Sequence, residues 1–441
     1  MENFTLWMEK HFVPIAVKFG SQKHLVAIRD AFISILPITM AGAFATMLNA
    51  IVRDLPGKFE LNGITEAFSW LIGINGFVWW GTLAMTALIF SFAIGYQITK
   101  AYDIDPLAGG LVSLASFLIV TPQVASFEAT IAAGTANEIK EVVAGWGYIG
   151  VGYTDAKGLF TALIVGVVVA IIYSKLMQKK VTIKLPDEVP SGVSQAFATI
   201  LPGIISLYAI SLVAWLLSTY MGTSLADLIG QYVQAPFLAL SQGLPAVIIL
   251  TMMVSILWFF GIHGTNVLAP VLDGVYLTAL RENAAAHEAG NAMKYFWTRG
   301  SFDAYGWMGG AGCTFALIIA LLIFSKKQEE KTLAKLAAPM GVFNINEPVV
   351  FGLPIVLNPV YVIPWVLVPT LLIVIAYLAS KAGIVPPVYV ETPWVMPPVL
   401  YAWFATGFSW KAIVLAIVNL GIGTAIWSAF VLLSNSVKIE G

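Results

Sequence analysis

The sequence predicts an all-α, polytopic membrane protein with about ten transmembrane helices arranged in two subdomains. Of its 441 residues, 59% are hydrophobic and only 11% are charged, whereas a soluble domain has about 25% charged residues. The mean hydropathy is +0.85. Apolar runs of about 20 residues, the length that a bilayer requires, recur along the chain. This much apolar surface cannot be hidden inside a water-soluble fold, so part of it faces lipid.

Nine apolar stretches are long enough to cross a bilayer, and a weaker one near 66–80 is either a short span or half of a broken one. The nine are 31–52, 82–99, 107–126, 158–177, 198–220, 244–262, 306–325, 361–380 and 412–434. Four other apolar stretches are short and interrupted by prolines: 228–240, 264–280, 341–359 and 383–406. Irregular backbone at membrane depth survives only inside protein or along an aqueous cavity. Because transporters build their sites from broken helices, these four stretches indicate where the site lies.

The charged segment 175–197 separates two hydrophobic blocks. It contains Pro186 and Pro190 among lysines and acids, which is typical of a boundary between domains. The sequence therefore predicts one membrane subdomain over 1–184 and a second over 185–441. The second contains nearly all of the broken stretches, so we expect it to carry the site.

The first 30 residues predict an amphipathic segment on the membrane surface ahead of the first span. The apolar residues Trp7, Phe12 and Phe19 alternate with Lys10 and Lys18, a pattern typical of interfacial helices. Acids and bases are mixed there without an uninterrupted apolar core, so we do not expect a cleavable signal peptide.

Several kinds of chemistry are not indicated by the sequence. The net charge of −1 argues against a nucleic-acid partner, and the single cysteine, Cys313, cannot form a disulfide or a thiolate metal site within the chain. The run AHEAGN at 286–291 has Asn291 where a zinc protease needs a second histidine. No phosphate-binding loop is present. We therefore expect no metal, no cofactor and no nucleotide site.

Glu347, within FNINEPVVFG at 343–352, is the first candidate for the site. A carboxylate at membrane depth costs about 3 kcal/mol, so it usually faces a cavity. Pro348 removes a backbone donor and disfavours a continuing helix, so a turn with exposed carbonyls is expected. Asn344 and Asn346 add amide groups, and a carboxylate can bind two adjacent hydroxyls. The alternative is that Glu347 serves as a structural cap or in an internal ion pair.

His263, within WFFGIHGTNV at 258–267, is the second candidate. It lies between Gly261 and Gly264, which let the backbone approach a ligand closely, and Trp258 precedes it by five residues. A neutral imidazole both donates and accepts, which suits sugar hydroxyls. The alternative is a histidine satisfied inside the core.

Trp394, which lies between prolines in PPVYVETPWVMPPVLYAW at 386–403, is the third candidate. Its indole offers a platform for a sugar ring, and the alternative is an aromatic belt at the lipid headgroups. Glu391 belongs either to the site or to a loop. GFVWWGTLAMTA at 76–87, in which Gly76 and Gly81 flank two tryptophans, is the fourth candidate, and the alternative is close helix packing through small residues. The hydrophilic run 281–306 is predicted to be a solvated loop.

At GIHGTNV and FNINEPVVFGLPIVLNP the chain resembles a known family. It is similar to the membrane subunit (enzyme IIC) of the lactose/cellobiose/diacetylchitobiose type of the bacterial sugar phosphotransferase system. The resemblance extends over the whole chain, including DEVPSGVSQAFATILPG, and the NEP segment is its most specific part. It implies a multi-pass homodimer in the bacterial plasma membrane. The first half would form the dimerisation scaffold. The second half would carry a sugar between two re-entrant hairpins by an elevator-like movement.

The resemblance also implies roles for single residues and for partners. The matching sugar-binding positions are Glu347, His263, Trp394, Gly81, Trp258 and Gln195, the last where relatives often have Asn. The sugar would be phosphorylated at a 6-hydroxyl by a phosphocysteine of a cytoplasmic IIB protein. Because SNSVKIEG follows the last span closely, we expect IIB and IIA to be separate chains. Lactose members often carry a fused IIB, so cellobiose or diacetylchitobiose is the expected substrate.

Three other functions compete with this interpretation. A proton-coupled sugar symporter would use Glu347 as the proton carrier and would deliver unmodified sugar. An intramembrane glycosyl or polyprenyl transferase would need a phosphate or metal cluster, for which the sequence has no motif. A scaffold subunit without transport would not need so many broken spans.

Overall fold

A computed structural model describes residues 22–131, 139–186, 188–353, 355, 356, 358 and 361–436. The predicted amphipathic segment lies largely outside these residues. The described chain forms two compact units. Unit 1 contains the described residues of 1–29, 38–79 and 237–441, and unit 2 contains 30–37 and 80–236.

The boundary between the units near residue 236 differs from the predicted boundary at 184. The reason is the helix Ser191–Met221, which packs against Pro106–Val120 and Leu159–Gln178 within unit 2. The predicted division into a scaffold and a sugar-binding subdomain concerns function and stays a prediction.

Helices account for most of both units, and four helices, Lys23–Ser34, Leu36–Asn49, Ser69–Gly81 and Ala235–Ser241, run across a unit boundary. The other α-helices of unit 2 are Thr86–Lys100, Pro106–Val120, Val151–Thr154, Leu159–Gln178, Ser191–Met221 and Leu225–Ile229, with 3₁₀ turns at Leu83–Met85 and Ala156–Gly158 and a π-helical turn at Gly230–Gln234. Those of unit 1 are Leu55–Lys58, Asn62–Ala67, Leu244–Phe259, Gly264–Val267, Ala269–Val271, Thr278–Glu288, Arg299–Tyr305, Thr314–Phe324, Gln328–Val342, Glu347–Gly352, Val362–Lys381, Leu400–Ala405 and Trp410–Ser436, with π-helical turns at Ala50–Asp54 and Leu272–Leu277 and a 3₁₀ turn at Ala311–Cys313.

Six helical runs among the described residues are long and apolar enough to cross a membrane: Leu36–Gly57, Ser69–Lys100, Leu159–Gln178, Ser191–Met221, Val362–Lys381 and Trp410–Asn435. A seventh is added if the bent pair Leu225–Ser241 and Leu244–Phe259 is one span. The apolar helices Pro106–Val120 and Ala311–Phe324 are shorter. The predicted total of about ten crossings and the predicted re-entrant hairpins stay predictions.

An antiparallel hairpin of Val124–Ile131 and Ile139–Trp146, with Val124 opposite Trp146, is the exception to the predicted all-α fold. The predicted span 107–126 ends instead at Val120. The helix ends there because Pro122 disfavours helical backbone in the residue before it, and Thr121 is accordingly extended.

Glycines also interrupt the predicted span 306–325. Gly309, Gly310 and Gly312 all have positive φ angles of 79° to 104°, a conformation that glycine adopts without steric cost. The chain therefore turns between Arg299–Tyr305 and Thr314–Phe324, where the sequence predicted one continuous helix.

Helices of unit 2 approach one another closely through small residues. A Cβ on Gly95 would lie 2.2 Å from Cβ of Ser113 on the neighbouring helix, and a Cβ on Gly166 would lie 2.4 Å from Cγ2 of Ile94. Only glycine allows such contact, a pattern that membrane helices use widely.

Two buried tryptophans organise the core of unit 1. The indole N–H of Trp365 donates to the carbonyl of Ser255 at 2.8 Å, and that of Trp427 donates to the carbonyl of Gly312 at 3.1 Å. Trp365 also covers Gly312, where an added Cβ would lie 2.4 Å from the indole. The helices that carry these tryptophans, Val362–Lys381 and Trp410–Ser436, thus fix the glycine-rich turn 309–312. This turn also contacts the polar motif around Glu347.

Candidate functional site

Glu347 is the first residue of the short helix Glu347–Gly352, which follows the turn that the sequence predicts. The preceding helix ends at Val342, and Asn344 then adopts a left-handed φ of 61°. Pro348 fits the first helical turn because that turn needs no N–H donor. The carbonyl of Asn346 is engaged, since it accepts the N–H groups of the third and fourth helical residues at 3.0 and 2.9 Å. The Asn346 carbonyl is therefore used inside the helix, whereas the Glu347 side chain is 47% exposed.

His263 caps the short helix Gly264–Val267 with its ring. The backbone N–H of Asn266 donates to His263 Nδ1 at 3.3 Å, and Thr265 Oγ1 lies 3.0 Å from the same nitrogen. A ring nitrogen that accepts an N–H carries no proton, so the proton of the neutral imidazole sits on Nε2. The cap therefore sets the tautomer and leaves an N–H donor on the other side of the ring.

That donor side faces Glu347. His263 Nε2 lies 3.9 Å from Glu347 Oε1, and the two side chains are 40% and 47% exposed. The separation exceeds a hydrogen bond, so neither group satisfies the other. A hydroxyl between them would accept from Nε2–H and donate to the carboxylate.

Burial determines the charge state of the imidazole. It lowers the pKa of His263 below its ordinary value of 6.5, and the nearby Glu347 carboxylate only partly opposes this effect. The ring is therefore neutral at pH 7, and the pair consists of one neutral donor and one anionic acceptor.

Trp258 is buried against His263, with ring centroids 4.4 Å apart and an interplanar angle of 47°. Its indole Nε1 is buried without a hydrogen-bond partner in the described part of the chain. Trp258 therefore backs the imidazole and limits its movement. Its predicted contact with substrate stays a prediction.

Asn344 connects the glycine turn to the loop of Trp394. Its Oδ1 accepts the N–H of Gly309 at 2.7 Å, and its Nδ2 donates to the carbonyls of Trp394 at 2.6 Å and Met396 at 2.8 Å. The Trp394 side chain is 39% exposed, so its ring is available to a ligand while its backbone is held.

Asn346 is buried, and its Nδ2 donates to the carbonyl of Ala311 at 3.3 Å. It also packs on the glycine turn, where a Cβ on Gly310 would lie 2.8 Å from its Cγ. The predicted contact of Asn346 with substrate is not tested by this geometry.

The two remaining predicted site residues belong to unit 2. Gly81 is the last residue of Ser69–Gly81, and a Cβ placed on it would meet nothing within 4 Å among the described residues outside its own helix. Gln195 is exposed in the first turns of Ser191–Met221. The other six predicted site residues belong to unit 1: Trp258, His263, Asn344, Asn346, Glu347 and Trp394. The roles of all eight residues in sugar binding stay predictions.

Glu391, predicted to belong either to the site or to a loop, lies in an irregular segment and forms a buried ion pair with Arg281. Arg281 Nε donates to Glu391 Oε2 at 2.8 Å and Nη2 donates to Oε1 at 3.0 Å, with side chains 9% and 12% exposed. Arg299 forms a second cluster, with Asp273 at 3.3 Å and Asp303 at 2.6 Å.

The prediction of a solvated loop over 281–306 was therefore wrong. Asn283, Tyr295, Trp297 and Phe302 are all buried, and Thr278–Glu288 and Arg299–Tyr305 are helices. Arg281 and Arg299 of this run have acidic partners, which offset the cost of burying their charges. The aromatic run YFW at 295–297 was the signal for burial that sequence reasoning missed. In the described part of the chain, no group of three or more His, Cys, Asp or Glu side chains is arranged to hold a metal ion.

Comparison with known proteins identifies the family. Residues 29–369 match the sequence model described as "Phosphotransferase system, EIIC". The chain is 41% identical to the "PTS system cellobiose-specific EIIC component" of Lactococcus lactis subsp. lactis (strain IL1403), with 99% of each chain covered. It is 34% identical to the "PTS system oligo-beta-mannoside-specific EIIC component" of Bacillus subtilis (strain 168), over 96% of this chain and 92% of the relative.

A solved structure matches the fold as well. The crystal structure of the transporter ChbC, the IIC component from the N,N'-diacetylchitobiose-specific phosphotransferase system, superimposes with a TM-score of 0.88 at 31% identity over 97% of both chains. These matches confirm the resemblance found in the sequence, and with the apolar helices they make this a multi-pass membrane protein. The chain belongs to the EIIC family of the phosphotransferase system.

Proposed function

We propose that this protein is the sugar permease subunit of a phosphoenolpyruvate-dependent phosphotransferase system in a bacterial plasma membrane. Its substrate would be a β-linked disaccharide, with cellobiose or diacetylchitobiose the first choices. Relatives named for cellobiose and a solved structure named for diacetylchitobiose support this substrate class.

The observation that carries the proposal is the unsatisfied pair of His263 and Glu347. A donor and an anionic acceptor separated by 3.9 Å, both about half exposed, match a sugar hydroxyl, which is itself both acceptor and donor. The half-exposed indole of Trp394 would stack on the apolar face of a ring. Because hydrogen bonds to a charged group contribute about 1.5–3 kcal/mol, Glu347 would supply most of the polar affinity.

The phosphoryl chemistry would belong to partners. The sequence carries no phosphate-binding loop, so a phosphorylated cytoplasmic IIB protein, itself supplied by IIA, would transfer the group to the 6-hydroxyl of the sugar that the permease presents. An elevator-like movement of the sugar-binding part would bring the sugar to that partner. Residues 1–184 would provide the contact of a homodimer. Gly81 and Gln195 would contact the sugar, as the family resemblance implies.

Transport in membrane vesicles tests this function. Vesicles containing the protein are given labelled cellobiose, with and without phosphorylated IIB on the side that faces the cytoplasm in the cell. We expect sugar phosphate to form only when phosphorylated IIB is present. Free sugar that accumulates under a proton gradient alone would instead establish the symporter, with Glu347 as the proton carrier.

Sugar binding to the purified protein tests the site. Glu347→Gln replaces an anionic acceptor by a neutral amide of the same size, and we expect the Kd for cellobiose to rise about 10- to 100-fold. Glu329→Gln is the matched control, since Glu329 is exposed on the helix Gln328–Val342. Equal affinities of Glu347→Gln and the control would refute the assignment of Glu347.

A further inference from the structure

The side-chain amide of Asn344 has its polar groups engaged by the protein. An asparagine has two N–H donors and a carbonyl oxygen with two lone pairs. Both donors are in use, one toward Trp394 O and one toward Met396 O, and the oxygen accepts from Gly309 N. A ligand hydroxyl could gain an N–H donor from Asn344 only by displacing one of these bonds.

Among the described residues, few other hydrogen bonds hold the segment 393–396 that Asn344 contacts. Trp394 and Met396 lie between Pro393 and Pro397, and prolines offer no N–H to bind a neighbouring segment. The described segment 393–396 closes a local turn, with Met396 N donating to Pro393 O at 2.9 Å. The bonds from Asn344 connect this turn to a different part of the chain.

The backbone of Asn344 suits this arrangement. Its φ of 61° lies in the left-handed region, which asparagine tolerates better than most other residues with a side chain. The bond from Gly309 fixes the amide oxygen on one side and turns the NH₂ group toward the two carbonyls. Asn344 also lies three residues before Glu347, so the carboxylate and the Trp394 backbone are tied to one short segment.

We propose that Asn344 is a positioning residue that holds the backbone of Trp394 and thereby places its exposed indole relative to Glu347. This inference rests on the proposed function, in which Trp394 stacks on a sugar ring. It revises the sequence prediction that Asn344 itself binds the sugar.

A double-mutant cycle on the purified full-length protein tests the inference, with the Kd for cellobiose measured by calorimetry. Asn344→Gly removes the amide but keeps the left-handed backbone available. We expect about tenfold weaker binding in Asn344→Gly and in Trp394→Ala. The double variant should bind within about twofold of Trp394→Ala alone, because the amide acts through that ring. Additive losses, close to 100-fold in the double variant, would mean that Asn344 contacts the sugar directly and would overturn the proposal.

Asn344→Asp provides a second variant if the glycine variant does not fold. It keeps the size of the side chain and the acceptor for Gly309, but it turns an oxygen instead of an NH₂ group toward two carbonyls. We therefore expect Asn344→Asp to weaken binding as much as Asn344→Gly does, alone and combined with Trp394→Ala. With phosphorylated IIB present, either variant should raise KM for the sugar about tenfold and leave kcat unchanged. A lower kcat at unchanged KM would contradict a role in placing the ring.

A spectroscopic measurement needs no sugar at all. With 5-fluorotryptophan incorporated, the ¹⁹F resonance of Trp394 is assigned by its loss in Trp394→Phe, and Trp215 in unit 2 serves as the internal control. Asn344→Gly should shift or broaden the Trp394 resonance and leave that of Trp215 unchanged. An unchanged Trp394 resonance refutes the positioning role whether or not sugar binds, whereas a wild-type protein that binds no β-disaccharide refutes the proposed function alone.

Discussion

Replacing His263 by asparagine or by glutamine separates the two tasks of its ring. Nδ1 accepts the backbone N–H of Asn266 at 3.3 Å and so caps a helix, while Nε2–H faces Glu347 at 3.9 Å. An asparagine amide reaches about as far as Nδ1, and a glutamine amide about as far as Nε2. His263→Asn therefore retains the cap, and His263→Gln retains the donor.

The expected magnitudes follow from these two contacts. A lost helix cap costs about 1 kcal/mol of stability, which lowers the thermal midpoint by about 2 °C in a protein of this size. A lost neutral hydrogen bond to the sugar costs about 1 kcal/mol of binding, or roughly a fivefold rise in Kd. We expect His263→Asn to bind cellobiose about fivefold more weakly at an almost unchanged midpoint. His263→Gln should bind within about twofold of wild type at a lower midpoint.

Calorimetry and thermal unfolding of the purified protein measure both quantities. His287→Asn is the control, since His287 is exposed and its ring contacts Tyr389. If glutamine weakens binding and asparagine preserves it, the proton is on Nδ1 and the assigned tautomer is wrong. If both variants bind as tightly as wild type, the ring does not contact the sugar.

Three further predictions follow from particular contacts. Because burial lowers the pKa of His263, the ring gains a proton only as the pH falls below about 6.5. Cellobiose affinity measured across pH should therefore stay constant from pH 7 to 8 and fall below pH 6. The fall should be weaker in His263→Gln. Arg281→Met leaves a carboxylate buried and unpaired, so the free energy of unfolding should drop by about 3–5 kcal/mol, and adding Glu391→Leu should recover most of it in thermal unfolding. Gly95→Ala would place a Cβ 2.2 Å from a side-chain carbon of the next helix and should destabilise by about 1–3 kcal/mol. Gly192→Ala, whose Cβ would meet no atom of the described chain within 4 Å, should not.

Long helices were predictable because their signal is local. Leu159–Gln178, Val362–Lys381 and Trp410–Ser436 each begin and end within two residues of the predicted stretch. Apolar side chains define such a helix wherever its neighbours lie, and charges, turns or prolines at its ends limit it. The four proline-marked breaks in the second block were also local, whereas the turn at 309–312 was missed although three glycines mark it.

Pairing between distant segments was not predictable in the same way. No local pattern indicates that Arg281 meets Glu391, which lies 110 positions later, and for this reason the run around Arg281 reads as a solvated loop in the sequence. The hairpin after Thr121 was missed for a related reason, because among the described residues each of its two strands is paired only with the other. Both errors arise where a polar or extended segment is stabilised by a partner that the local pattern does not reveal.

The candidate site shows how far residue type alone can lead. Asn344 and Glu347 looked equivalent in the sequence, as polar side chains three residues apart in an apolar region. In the structure the amide of Asn344 has three backbone partners within 2.8 Å, while Glu347 faces His263 across 3.9 Å. His263 and Glu347 lie beyond hydrogen-bond distance of each other and are 40% and 47% exposed, so a ligand can reach both. By this criterion the sugar would bind between His263 and Glu347, and Asn344 would build the surroundings that hold the indole of Trp394 beside them.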